Sequence, residues 1–289
     1  MLPSTNMLTL AVQRKLDAVT FTLSAFPNAL VAFSGGVDST LLAKLARDVL
    51  GRPRVLAVTA DSPSLAREDL EEAKRLARML DLEHLIVATR EVADRLYRQN
   101  TEARCYVCKQ TLFVELGELA SARAISVILY GAIGDDRPAE RPGQQAALAS
   151  GVRAPLQEAG LEKWEVRELA LALGLPNWDR PQNACLSSRI PHGQPVTEDK
   201  LRQVEAAEAL LRAHGFCQVR VRHTGTHARI EVEPGALRRF EDAALCAELA
   251  SAFEALGFET VGVDRAGYRA GGADHSPTNE VLLTAISRC

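Results

Sequence analysis

The feature that most constrains this chain is a stretch in which an apolar strand runs into a glycine turn and straight on into a helix. Ala29-Leu30-Val31-Ala32-Phe33 is a short apolar run of the kind that fills the middle of a sheet. Ser39-Thr40-Leu41-Leu42-Ala43-Lys44-Leu45-Ala46 carries its apolar residues at helical spacing. Ser34-Gly35-Gly36 interrupts both patterns, and glycine reaches positive φ at no steric cost and lets the backbone approach a ligand closely. Successive N–H groups at a helix N-terminus make a concave anion site, which the helix dipole strengthens. Phe33 closes the strand, Ser34, Ser39 and Thr40 add hydroxyl donors, and Asp38 offers a hard oxygen ligand for magnesium. The plainer alternative is an ordinary strand-to-helix turn with Asp38 or Ser39 as N-cap. The string is not the Gly-x4-Gly-Lys-Ser/Thr loop, because no lysine follows the glycines.

The chain around this stretch alternates in period. An amphipathic segment from Leu8 to Ser24 precedes it. Strand-like Arg54–Thr59, a helix rich in Glu–Arg/Lys pairs from Ser64 to Leu80, strand-like His84–Ala88, a helix from Lys109 to Arg123 and strand-like Ala124–Tyr130 follow. Alternating strands and helices imply an α/β fold with a doubly wound parallel sheet. Ligands of such sheets sit beyond the carboxyl ends of the strands, at the point where strand order reverses. Besides the glycine turn, Asp61-Ser62 and Gly131-Ala132-Ile133-Gly134-Asp135-Asp136 would lie there. Gly131 and Asp135 are thus candidate nucleotide contacts, Asp136 is a second candidate for magnesium, and Asp61 is a candidate contact or a simple turn residue.

Two further stretches carry reactive groups. Arg104-Cys105-Tyr106-Val107-Cys108-Lys109 has two cysteines at the spacing used for zinc, for an iron–sulfur cluster or for a redox pair. No second pair completes a four-ligand zinc set, although Cys185 can serve as a third cluster ligand if the fold brings it near. Arg104 and Lys109 read as cations facing a phosphate or carboxylate. Trp178-Asp179-Arg180-Pro181-Gln182-Asn183-Ala184-Cys185-Leu186-Ser187-Ser188-Arg189-Ile190-Pro191-His192-Gly193 is a loop bracketed by proline and glycine. Cys185 lies between Arg180 and Arg189, whose charges would favour its thiolate if they are close.

A formal net charge of −3 gives no electrostatic case for nucleic acid or an anionic membrane as obligatory partner. No stretch is apolar enough to span a bilayer, the N-terminus lacks the features of a secretory signal, and six cysteines in 289 residues are too few for a disulfide scaffold. The expected compartment is the cytoplasm.

Ser34-Gly35-Gly36-Val37-Asp38-Ser39 resembles the pyrophosphate loop of the adenine nucleotide alpha hydrolase, or PP-loop, superfamily, whose members split ATP between the α and β phosphates and adenylate a substrate. Taken with Arg-Cys-Tyr-x-Cys-Lys at 104–109, Arg-Pro-Gly at 141–143, Gly-Val-Arg-x-Pro-Leu-x-Glu-Ala-Gly-Leu at 151–161, Gly-Leu-Pro-x-Trp-Asp at 174–179 and Ala-Cys-Leu-Ser-Ser-Arg-Ile-Pro at 184–191, the chain resembles the LarE-type ATP-dependent sacrificial sulfur transferases of nickel-pincer cofactor assembly. The resemblance implies ATP and Mg2+ as cofactors and a pyridinium dicarboxylate mononucleotide as substrate. Cys185 is then the sulfur donor left as dehydroalanine, with Lys109 and Arg189 as its catalytic companions. It also implies a homo-oligomer, trimer or hexamer, working alongside other nickel-pincer biosynthesis proteins. An iron–sulfur route through Cys105, Cys108 and Cys185 stays open as an alternative. So do a transfer-RNA thiolase, an amidotransferase-like adenylating enzyme and a nucleotide-binding protein without turnover. The chain departs from the family at Ile133, usually asparagine, at Ala139, usually aspartate, and at His192, usually tyrosine.

Beyond Thr197 the pattern changes to a smaller α+β domain. A helix from Glu198 to His214, a strand Phe216–Arg222, a hairpin turn at Thr224-Gly225-Thr226 into Ala228–Val232, and a last strand at 257–263 are expected. The expected domains are 1–193, 194–270 and a flexible tail at 271–289. By the resemblance, Arg220 and Arg222 lie near the phosphate of the substrate; on their own they read equally as a solvated strand face.

Overall fold

Apolar runs separated by helix-length segments can pair in parallel, because each crossover has room for a helix. The computed structural model describes residues 8–136, 142–181, 183–268 and 280–283, and it has this arrangement. In chain order the elements are α1 (Leu10–Ser24), β1 (Ala29–Ala32), α2 (Val37–Leu50), β2 (Val55–Asp61), α3 (Arg67–Met79), β3 (Glu83–Ala88), α4 (Arg95–Arg98), α5 (Arg104–Ala122) and β4 (Ile128–Tyr130). They continue with α6 (Pro142–Ala149), α7 (Pro155–Glu158), α8 (Lys163–Ala172), α9 (Glu198–Ala213), β5 (Val219–Thr224), β6 (His227–Val232), α10 (Ala243–Ala255), β7 (Thr260–Asp264) and β8 (Glu280–Leu282). No helix among the described residues is long and apolar enough to cross a membrane.

The described residues divide into two compact units. One holds the chain up to Glu91 and from Ala103 to Asn183; the other holds Val92–Glu102 and the chain from Ala184 onward. The break expected near 193 therefore falls at 183, and Cys185 and Arg189 belong to the second unit. Hydrogen bonds explain the shift. The Asn100 side chain donates to the carbonyls of Ile190, Pro191 and Gln194, Val196 N–H donates to the Arg98 carbonyl, and the Tyr97 hydroxyl meets Ser187 Oγ at 2.6 Å. Residues 184–196 are thus tied to the 92–102 excursion.

In the first unit the sheet runs β3-β2-β1-β4, parallel throughout. Alternate residues of β1 enter opposite cores. Ala29 and Val31 pack with Leu16 of α1, Leu41 of α2 and Leu169 of α8, while Leu30 packs with Phe113 and Leu116 of α5 and Ala147 of α6. Helices cover both faces of the central strands, as parallel sheets require, while the edge strand β3 stays partly exposed. Strand order reverses between β1 and β4, so the turn after β1 and the segment after β4 meet at the switch point.

Two local expectations shift. Helix α5 starts at Arg104 rather than Lys109, so Cys105 and Cys108 lie in its first turns. Strand β4 keeps only Ile128–Tyr130, because Ala124 turns at φ 51° and Asn28 takes backbone bonds that a longer strand would use: it donates to the Ala124 carbonyl and accepts from Ser126 N–H.

The second unit has a mixed sheet, β5-β6-β7-β8. β5 and β6 form the expected hairpin, closed by Gly225-Thr226 with Gly225 at φ 67°. β7 joins β6 in parallel after the α10 crossover, and Leu211, Phe216, Ile230, Phe253 and Val261 fill the core beneath. Part of the region expected to be a flexible tail is ordered: Glu280–Leu282 pairs antiparallel with β7, and Leu283 is buried. The rest of 271–289 lies outside the described residues.

Candidate active site

The turn after β1 is built by its own side chains. Gly35 sits at φ 73°, where an L side chain is strained, and a Cβ there would also lie 3.1 Å from the Cα of Ala73 on α3. The Ser39 hydroxyl accepts from Ser34 N–H at 3.2 Å and donates to the Gly36 carbonyl at 3.1 Å; Ser34 Oγ accepts from Gly36 N–H at 3.3 Å. From α2's flank, Asn177 Nδ2 donates to the Gly35 carbonyl at 3.0 Å and to Thr40 Oγ1 at 3.1 Å. Thr40 is fully buried, so its hydroxyl braces the loop instead of facing a ligand. On the far side, a Cβ at Gly131 would stand 2.9 Å from Ser39 N, which only glycine avoids.

Beyond these strand ends lies a cavity of about 300 Å³. Phe33, Ser34, Gly36, Asp38 and Ser39 line it from the turn, and Gly131 and Asp136 line it from the β4 side. Lys109 and Cys108 reach it from α5, and Ser62, Ser64, Thr89 and Glu91 from beyond β2 and β3. Lys109 places Nζ 4.8 Å from the ring centroid of Tyr130, another lining residue. Burial pushes the Asp38 carboxyl up from the usual carboxylate range and the nearby Asp136 adds to this, against the pull of Lys163. The carboxylates of Asp38 and Asp136 in this lining are a hard oxygen set that fits magnesium.

Several expected residues stand elsewhere. Asp61 is half-exposed and pairs with Arg67 at 2.6 Å, leaving the adjacent Ser62 to line the cavity. Asp135 is exposed and accepts from Lys163 N–H at 3.0 Å, fixing the start of α8. Ile133 is buried in the main core, where its side chain packs among apolar residues. Ala139 and Gln182 lie outside the described residues. Cys105 is exposed on α5, and among the described residues no group of three or more His, Cys, Asp or Glu side chains is gathered as a metal centre.

Three residues of the site carry no motif of their own: Asn177, Lys163 and Glu91. Glu91 is buried and accepts from Ser64 Oγ and Thr89 Oγ1, each at 2.9 Å. Lys163 leaves one trace in the sequence: a cation at the first position of a helix opposes the helix dipole, and a broken local rule marks a position held by something else.

In the second unit Cys185 is an exposed thiol at the head of a short 3-10 turn, Leu186–Arg189. Arg189 is completely buried and makes the mount. Its Nη1 donates to the carbonyls of Ala184 at 2.5 Å and Cys185 at 2.9 Å, and Nε pairs with Glu208 Oε1 at 2.8 Å. Glu208 also accepts from Arg212 and from Val221 N–H. Burial alone would raise its carboxyl, but Arg189, Arg220 and the backbone donor hold it below the usual carboxylate range. Arg180, the other expected activator, pairs with Asp69 at 2.9 Å in the first unit. Both guanidiniums that flank Cys185 in sequence therefore have carboxylate partners of their own.

Arg220 and Arg222 differ. Arg222 is bonded twice to Glu231 Oε2 and donates to the Ser188 carbonyl at 3.0 Å. Arg220 is buried, lies over the Tyr268 ring, and has no carboxylate within ion-pair distance among the described residues.

Comparison with known proteins follows this division. The NAD synthase family matches residues 12–131, which end at the β4 side of the cavity. An uncharacterised protein of Synechocystis is 44% identical over 260 residues, covering 90% of this chain and 97% of that protein. Pyridinium-3,5-bisthiocarboxylic acid mononucleotide synthase of Lactiplantibacillus plantarum is 37% identical over 257 residues, covering 88% of this chain and 91% of that protein. An uncharacterised protein of Methanocaldococcus jannaschii is 25% identical over 242 residues, covering 83% of this chain and 90% of that protein. Matches of this length span Cys185 and its mount as well as the cavity.

Proposed function

Because the chain belongs to the LarE-type family of ATP-dependent sulfur transferases, we propose that it inserts sulfur into a pyridinium dicarboxylate mononucleotide and that Cys185 supplies the atom. ATP is taken by the cavity, with Lys109 and those N–H groups of the Ser34–Ser39 turn that are not bonded within it on its phosphates. Asp38, with Asp136 beside it, would hold magnesium, which would supply charge neutralisation to the polyphosphate. A substrate carboxylate attacks the α-phosphorus and pyrophosphate departs, leaving an acyl adenylate. The Cys185 thiolate then attacks the acyl carbon and expels AMP, which forms a thioester. Loss of the Cys185 Cα proton with cleavage of its Cβ–S bond releases a thiocarboxylate and leaves dehydroalanine. Atoms balance without an outside oxidant or reductant.

The observation that carries this reading is an exposed thiol on a turn held by a completely buried arginine. Arg220, a buried cation that feels Glu208 through space but makes no direct ion pair among the described residues, supports a phosphate contact on the same unit, whereas Arg222 is bonded to Glu231. The family resemblance extends the proposal to a homo-oligomer acting in the cytoplasm with other nickel-pincer biosynthesis proteins.

Intact mass after a single turnover with ATP, magnesium and the pyridinium substrate tests it. The protein should lose the mass of one hydrogen sulfide, mapped to residue 185, and C185A should give no thiolated product. Thiolated product with an unchanged protein mass would overturn the role of Cys185 and favour a cluster route.

A further inference from the structure

Lys163 occupies a position that repels its charge. It is the first residue of α8, where unpaired N–H groups and the aligned peptide dipoles present positive potential. The carboxylates nearest in sequence, Glu162 and Glu165, are engaged in a capping box at the same helix end. The lysine instead crosses to the nucleotide cavity's wall, where Nζ lies 2.8 Å from Oδ1 and 2.8 Å from Oδ2 of Asp38. Both oxygens of the residue best suited to hold a divalent cation are thereby committed to one ammonium. Asp136 adds a second negative charge, and its own carboxylate accepts from Ile133 N–H. Arg167, on the next turn of α8, adds a more distant positive charge.

We propose that Lys163 is a resident counter-ion that keeps Asp38 closed to a divalent cation until the nucleotide arrives. The polyphosphate gives the ammonium another anion, and Asp38 is released to the metal. The inference rests on the ATP–magnesium reading of the cavity and adds an order of events to it. By linkage, nucleotide and cation must then strengthen each other's binding by the same factor. With the lysine removed, Asp38 keeps the repulsion of Asp136 with only the more distant Arg167 to offset it, and a cation relieves that repulsion.

The test uses the full-length protein and Mn2+ as probe, with free Mn2+ read by electron paramagnetic resonance in the absence of nucleotide. The expected result is weak binding by the wild type and binding at least about tenfold tighter in Lys163→Met, with the gain abolished in the Lys163→Met/Asp38→Asn double variant. Damage to the fold does not create a metal site, so this gain separates a counter-ion from a structural lysine. Lys163→Arg keeps the charge and should keep Mn2+ binding weak, which preserves the test if the methionine variant does not fold. Equal Mn2+ affinity in wild type and Lys163→Met, a gain that survives Asp38→Asn, or tight binding by Lys163→Arg would overturn the proposal. A parallel titration with α,β-methylene ATP separates the two layers. If the analogue fails to bind the wild type with or without metal, the nucleotide reading fails, whatever Mn2+ does. If it binds with the same affinity with and without Mn2+, the counter-ion proposal fails while the nucleotide reading stands.

Discussion

Arg189 and Glu208 face each other without solvent access, Nε to Oε1 at 2.8 Å, and the same guanidinium reaches on to the carbonyl of Cys185. A buried pair of this kind adds little net stability over an apolar one, but removing one partner strands the other charge at about 3–5 kcal/mol. Glu208→Gln should therefore lower the stability of the second unit by about that amount. Sulfur transfer should fall with it, while nucleotide affinity of the first unit is unchanged. Denaturant unfolding and equilibrium nucleotide binding on one sample check both halves.

The first unit has its own brace. Asn177→Ala removes two hydrogen bonds, to the Gly35 carbonyl and Thr40 Oγ1, worth together about 1–3 kcal/mol. Nucleotide affinity should drop roughly tenfold or more, since the freed loop must be reordered on binding. Isothermal titration with an ATP analogue measures it.

Two glycines offer an opposed pair. Gly131→Ala puts a Cβ 2.9 Å from Ser39 N and should displace the turn, with loss of nucleotide binding. Gly117 lies within α5, and a methyl group there would meet nothing inside 4 Å, so Gly117→Ala should stabilise by about 0.5–1 kcal/mol and leave binding intact. Melting temperature and nucleotide affinity of the two variants should move independently.

Acid should weaken the second unit through His223. This ring is buried, packs on Phe258 and bonds Gln203 Oε1 at 2.9 Å, and burial pushes its pKa down to about 4 from 6.5. The unfolded chain then takes up a proton near pH 6.5 that the folded one refuses until about pH 4. Its stabilising contribution is complete above pH 6.5 and is lost as pH falls through that window, by about 3 kcal/mol at most. Glu208, held below its ordinary value, adds a loss at lower pH, below the usual carboxylate range. Unfolding midpoints between pH 8 and 4 should show the histidine step flatten in His223→Gln, on the order of a few kcal/mol.

What is legible in the sequence follows the range of the signal. The parallel sheet can be read because β1, β2 and β3 each carry a local apolar run and the helices between them keep their own period. The Ser34–Ser39 turn can be read because glycine and hydroxyl residues sit together in one short string. Asn177 cannot be read, since it acts on Gly35 and Thr40 from well over a hundred residues away. The domain break falls ten residues before its expected place for the same reason: Asn100 binds residues 190–194 through side-chain bonds that no periodicity encodes. The charges beside Cys185 are visible in the sequence, but their partners Asp69 and Glu208 are not, and those partners turn two supposed activators into struts.

The carbonyl of residue 185 is where its turn takes hold: Ser188 N–H and the Arg189 guanidinium both meet it, at 2.9 Å each. A chemistry that strips the sulfur from this residue takes away neither of those bonds. The spent molecule would be worn at a single residue and otherwise whole, an empty cartridge still seated in its holder.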